Sequence, residues 1–180
     1  MAVTYQINNQ DGLYYLTFQV VGWADIFSRK CYRDIVVESL NYCRENKGLE
    51  IYAYVIMTNH IHLILRSSRS DLSGAIRDLK RHTSRQILKT INEVNESRRE
   101  WLELVFKFHA KYNKRNGDKQ LWTHENHAVE LTSNEMIDSK INYIHQNPVR
   151  AGWVDEPENY LYSSARNFAK LESLLQIDEI

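Results

Sequence analysis

Ile51-Tyr52-Ala53-Tyr54-Val55-Ile56-Met57-Thr58-Asn59-His60-Ile61-His62-Leu63-Ile64-Leu65-Arg66 is the stretch on which the fold turns. Ile51 to Met57 is dense in aromatic and β-branched side chains and predicts a strand. Thr58-Asn59 predicts a tight turn, and His60 to Arg66 a second strand, so 51–66 reads as a hairpin or a closely spaced strand pair. Upstream, Leu13 to Trp23 predicts another strand. From Asp25 to about Glu45, Ile35, Val36, Ser39, Leu40 and Cys43 recur at helical spacing, with Asn46-Lys47-Gly48 as the stop signal. Downstream, Asp71 offers an N-cap to a long helix from Leu72 to about Val94, with an apolar stripe running from Leu72 through Leu79 and Thr83 to Ile91. Residues 95–118 are expected to continue that helix and then form a loop, and Leu121 to Leu131 to hold a strand. Ser133 is an N-cap for a helix over 134–147, which Pro148 is expected to end or kink near Asn147. Residues 167–180 predict a last amphipathic helix or tail. Without a regular strand–helix–strand rhythm, the pattern points to an α+β fold with a mainly antiparallel sheet.

The chain has 180 residues, of which 43% are hydrophobic and 26% charged, so one globular domain over 1–180, with 168–180 as its tail, is expected. Only 6 Gly and 2 Pro exclude collagen-like and linker-rich readings. No apolar run approaches the ~18 residues of a membrane helix. Met1 to Gln6 lacks the charged and apolar regions of a signal peptide, so a cytoplasmic protein is expected. Cys31 and Cys43 read as reduced thiols, with no Cys-x-x-Cys to suggest zinc.

Charge is balanced overall but not along the chain. Residues 77–115 carry 11 basic and 5 acidic side chains, whereas 116–180 carry 5 basic and 11 acidic. Arg77, Lys80, Arg81, Arg85 and Lys89 lie on or near the polar side of the long helix, a candidate surface for a nucleic-acid backbone, which needs a local positive face rather than a positive total. A solvated helix face fits the same composition equally well.

His60 and His62 sit two apart on a strand, so both imidazoles point the same way while Ile61 faces the other side. Two neutral ring nitrogens on one face suit a divalent cation; two hydrogen-bonded histidines on a half-polar sheet face fit too. In Tyr143-Ile144-His145-Gln146-Asn147-Pro148-Val149-Arg150, Tyr143 and Asn147 are one turn apart and share a helix face. A phenol oxygen can act as nucleophile, and an amide oxygen can serve as a third ligand. Core packing for Tyr143 and capping for Asn147 remain open on spacing alone.

Met57-Thr58-Asn59-His60-Ile61-His62-Leu63-Ile64 resembles the His-hydrophobe-His signature of the HUH superfamily of single-strand endonucleases. Tyr143 to Gly152, with Pro157 and Tyr162-Ser163-Ser164-Ala165-Arg166, resembles the C-terminal block of the single-tyrosine transposases, in particular the REP-associated branch; Leu121-Trp122 and Asn126-His127 resemble its middle block. The likeness runs from about residue 13 to 168. It implies a ferredoxin-like fold with a central antiparallel sheet, and cleavage and rejoining of single-stranded DNA near hairpins. His60 and His62 would hold Mg²⁺ or Mn²⁺ with Asn147 as third ligand, and Tyr143 would form a 5′-phosphotyrosine bond. The basic 77–115 segment would hold the DNA backbone, with exposed tyrosines or Trp122 stacking bases, and His127 and His145 are further candidates for supporting or DNA contacts. A nucleoid-associated protein, with a homodimer possible, completes the expectation. The competing expectations are a hairpin-binding protein that no longer cuts and an unrelated metal hydrolase using water.

Overall fold

The computed structural model describes residues 6–111 and 117–180, so Lys114 and Arg115 of the basic run lie outside the described residues. Strand β1 (Tyr14–Gln19) leads through a helix α1 (Lys30–Lys47) to β2 (Leu49–Ile56) and β3 (His60–Ser67). β2 and β3 form the expected hairpin, closed over Met57-Thr58-Asn59 by a bond from the Met57 N–H to the His60 carbonyl at 2.9 Å. Two further helices follow, α2 (Leu72–Glu93) and α3 (Arg99–Lys111), then a two-residue strand β4 (Val129–Glu130), α4 (Asn134–Arg150) and a single turn α5 (Ala165–Phe168). All strand pairings are antiparallel and the order is β2-β3-β1-β4, the ferredoxin-like arrangement.

Local signals set most boundaries. Gly48 ends α1 in the left-handed region at φ 67°, its N–H bonded to the Cys43 carbonyl. Asp71 caps α2 through Gly74 N–H, and Ser133 caps α4 through Met136 N–H. Four expectations are corrected. The first strand stops at Gln19, because Gly22 and Trp23 take positive φ and turn the chain, and the following helix starts only at Lys30. The long helix does not continue past Glu93: Val94 is extended, and the buried Glu96 ties the junction to Arg29, Tyr32 and Arg98 before α3 begins. Leu121–Leu131 supplies only β4 and an isolated bridge from Trp122 to Val20. α4 runs through Pro148 to Arg150, because burial of Ile144, His145 and Pro148 outweighs the local preference before proline.

The C-terminal residues are a folded strap rather than a helix. Their path closes the outer edge of β2: Tyr162 and Ser164 bond to Ile56 and Tyr54, and Asp178 bonds to Ile51. Leu175 is buried there.

Alternation on the sheet decides where chemistry can occur. Tyr14, Leu16 and Phe18 face one way with Ile61, Leu63 and Leu65, all buried. α2 packs on that side, with Lys80 Nζ 5.2 Å from the Phe18 ring centre. Tyr15, Thr17, His60 and His62 face the other way, under α4.

Candidate active site

The register pairs Thr17 with His62 and Gln19 with His60 across β1 and β3. His62 Nδ1 lies 2.8 Å from the Tyr15 hydroxyl and 2.9 Å from the Thr17 hydroxyl. With the Nδ1 proton donated to these oxygens, Nε2 keeps its lone pair. His60 donates its Nδ1–H to Asn59 Oδ1 at 2.7 Å, which frees its Nε2 in the same way. The two rings are 4.7 Å apart centre to centre. Engaging the second ring nitrogen is how proteins orient and tune histidines that bind metal.

Electrostatics keeps both rings neutral. Burial lowers the His60 imidazole, and burial pushes His62 down to about 3, aided by the repulsion that two protonated neighbouring rings would feel and by the Lys140 ammonium. Burial pushes the Tyr15 phenol up to about 12, a shift the Thr17 hydrogen bond opposes and the neighbouring Tyr143 adds to, so Tyr15 keeps its proton.

α4 brings Tyr143 to this pair within a single chain. Its ring stands edge-on to His62 with centres 5.4 Å apart, and edge-on to Tyr15 at 6.2 Å, while 37% of the residue remains exposed. Asn147 shares the helix face, with its amide NH₂ donating to the Tyr143 carbonyl at 3.0 Å and its Oδ1 left as an acceptor. Two oriented, neutral imidazoles with free Nε2 atoms could hold a divalent cation, and Asn147 Oδ1, on the same helix face as Tyr143, is the candidate third donor. Among the described residues no cluster of three or more His, Cys, Asp or Glu offers a second centre.

Other expectations stand differently. The basic residues of α2 lie on the opposite face of the sheet from Tyr143. Arg77 leans on Asp78 at 3.7 Å and Lys89 on Glu93 at 3.5 Å. Lys80 is turned inward onto the Thr123 carbonyl and Asn126 Oδ1, and burial lowers its ammonium to about 8. Arg81 and Arg85 are exposed. A cavity of about 630 Å³ opens between α2 and 119–126, lined by Arg77, Lys80, Arg81 and Lys119. Trp122 is a buried wall, not a stacking platform: it is 6% exposed, and its indole N–H donates to Thr83. His145 is buried against Ser164, and His127 lies 4.0 Å from Glu125. Sequence reasoning missed Tyr15 and Thr17, which only the strand register could reveal, and Lys140 and Arg150, whose ring contacts with Tyr143 were legible in helical spacing.

Comparison with known proteins bears on this arrangement. A protein of Haemophilus influenzae named as a REP-associated tyrosine transposase is 26% identical over 130 residues, covering 71% of this chain and 65% of that relative, so just under two thirds of the relative's length is matched. The solved structure of a REP-associated tyrosine transposase bound to a REP hairpin shares the fold, with a TM-score of 0.65 at 17% identity, over 99% of this chain and 93% of that one. Residues 14–107, which hold β1 to β3, the histidine pair and most of α3, match the family model "Transposase IS200 like", and the chain therefore belongs to the IS200-like transposase family.

Proposed function

We propose that the protein cuts and rejoins single-stranded DNA beside hairpins, with Tyr143 as nucleophile. The carrying observation is the edge-on approach of the Tyr143 ring to His62, 5.4 Å between centres, in one chain. Family membership supports the class of reaction, and the hairpin bound to the structural neighbour supports the kind of DNA.

His60, His62 and Asn147 would hold Mg²⁺ or Mn²⁺, which when bound neutralises a non-bridging phosphate oxygen and orients the phosphodiester for in-line displacement. The chain's own residues do the rest. The Tyr143 oxygen bonds to phosphorus as its proton leaves, and the bond from phosphorus to the 3′-oxygen breaks. That oxygen takes a proton and departs as a 3′-hydroxyl, leaving a 5′-phosphotyrosine. Attack by another 3′-hydroxyl reverses the step and restores the phenol, so the bond is conserved without a nucleotide cofactor. Tyr15, Thr17 and Asn59 hold the imidazoles in one tautomer. Arg81, Arg85 and the cleft beside Lys119 serve the hairpin backbone away from the cut, whereas Lys80 is engaged inward and Arg77 and Lys89 lean on acidic neighbours. Because all three rings meet within one chain, the reading needs no second subunit.

Labelled hairpin oligonucleotides taken from the host's palindromic repeats, incubated with Mn²⁺, test the reading. A protein–DNA adduct that disappears in Tyr143→Phe is expected. Binding with no cleavage would support a hairpin-binding module instead. Cleavage that survives Tyr143→Phe would point to a water nucleophile.

A further inference from the structure

Positions 140, 143, 147 and 150 follow helical spacing, so Lys140, Tyr143, Asn147 and Arg150 form one face of α4. The Lys140 ammonium lies 4.5 Å from the Tyr15 ring centre and 5.6 Å from that of Tyr143. The Arg150 guanidinium carbon lies 5.3 Å from the Tyr143 ring centre. Neither cation has a carboxylate within 4.0 Å among the described residues, although many other surface cations of this chain do. Aromatic faces are weak partners for cations compared with phosphate oxygens. Two cations parked on the ring of the candidate nucleophile, with no acidic partner, are therefore poised for an anion that arrives with the substrate.

We propose that Lys140 is a catalytic residue that binds a non-bridging oxygen of the scissile phosphate, and that Arg150 binds a neighbouring phosphate of the same strand. This rests on the reading that Tyr143 attacks a phosphodiester. Lys140 lies close to the rings of both Tyr15 and Tyr143, each of which neighbours His62, so it borders the space that a phosphate shared by the phenol and the imidazoles would occupy. As five-coordinate phosphorus forms, the equatorial oxygens gain negative charge, and a fixed ammonium beside them favours that state over the ground state. Arg150, exposed at the far end of the same face, has the planar fork that grips phosphate in two-point fashion, and so fixes the strand's register rather than its reactivity.

The test pairs adduct formation with binding. In single-turnover assays on the hairpin oligonucleotides with saturating DNA, Lys140→Met is expected to slow adduct formation by about 10²–10³-fold. Lys140→Arg should recover most of the loss, and Arg150→Met should act mainly through the DNA concentration needed. A neutral methylphosphonate at the cut site should erase the difference between wild type and Lys140→Met. Wild-type rates in Lys140→Met would overturn the proposal. A wild type that forms no adduct would remove the catalytic role of Lys140 together with the cleavage reading, but the phosphate contacts would still be judged by binding. Titrating the Tyr143→Phe protein with oligo-thymidylate in EDTA, each added substitution at 140 or 150 should reduce the slope of log affinity against log salt by about 0.7. Unchanged slopes in both variants would overturn the contacts whatever the cleavage assay shows. Melting curves for each variant exclude a loss that merely reflects unfolding.

Discussion

His62 is positioned by two hydroxyls that belong to a different strand. Removing them one at a time separates orientation from ligation. Tyr15→Phe deletes an oxygen 2.8 Å from Nδ1 and leaves Thr17 at 2.9 Å, so a partial loss is expected. Tyr15→Phe with Thr17→Val leaves Nδ1 without a side-chain partner. Losses of supporting hydrogen bonds around metal-binding histidines run at about 10–100-fold. The prediction is that the double variant needs correspondingly more Mn²⁺ for half-maximal adduct formation and melts close to the single variants. Equal Mn²⁺ dependence in wild type and double variant would mean that these hydroxyls do not act through His62. Their role was not legible in the sequence, because the pairing of Thr17 with His62 is a long-range register that no local periodicity encodes. The histidine pair itself was legible, since strand alternation alone puts both rings on one face.

At the scale of elements, the junction between α2 and α3 and the seat of α4 carry the strain of an ionisable core. Glu96 is 5% exposed. Burial alone would raise its carboxyl, but hydrogen bonds from the Arg98 N–H, the Arg29 guanidinium and the Tyr32 hydroxyl outweigh this and hold it below the usual range. Glu96→Ala strands the buried Tyr32 hydroxyl, while the half-exposed Arg29 and Arg98 can turn to water and Arg98 keeps Asp25, so a cost of about 1–3 kcal/mol is expected, measured by urea unfolding at neutral pH; a cost near zero would show that the junction is held by packing alone.

His145 anchors α4 to the strap by a 2.9 Å contact with Ser164, and burial pushes its imidazole down to about 4. The unfolded chain takes up that proton near pH 6.5, so between about 6.5 and 4 the unfolded state binds more protons and stability falls as pH falls. Going from pH 7.5 to 5, His145 is expected to account for about 2 kcal/mol of the decline. Thermal melts of wild type and His145→Gln should converge as pH falls; parallel curves would contradict this. The misreading of Pro148 belongs here too. A proline signal reports a local backbone preference, and the buried side of α4 overrode it. The charge run on α2 shows a related limit, since counting cations cannot reveal that Lys80 turns inward while Arg77 and Lys89 have acidic neighbours.

For the molecule as a whole, the strand order leaves β2 at an edge, and residues 162–178 occupy it. An uncovered edge strand is a template for pairing with another chain. Removing residues 171–180 takes away buried Leu175 and the Asp178 bonds to Ile51 and Arg44. The shortened protein is expected to lose about 2–4 kcal/mol of stability and to self-associate in sedimentation velocity. Unchanged melting and unchanged sedimentation would show that the strap is dispensable. The hairpin, the capped helices and the α+β class were written in local pattern, whereas the strap's path was not, because its apolar spacing suggested an amphipathic helix while long-range bonds to the edge of β2 set its course.

The most direct measurement of the central claim is to locate the covalent bond. After reaction with a labelled single-stranded hairpin and Mn²⁺, the product is digested with protease and nuclease and the modified peptide is sequenced by mass spectrometry. The account predicts a 5′-phosphonucleotide on the peptide containing Tyr143 and on no other. Efficient cleavage with that peptide unmodified, or with the nucleotide attached elsewhere, would contradict it.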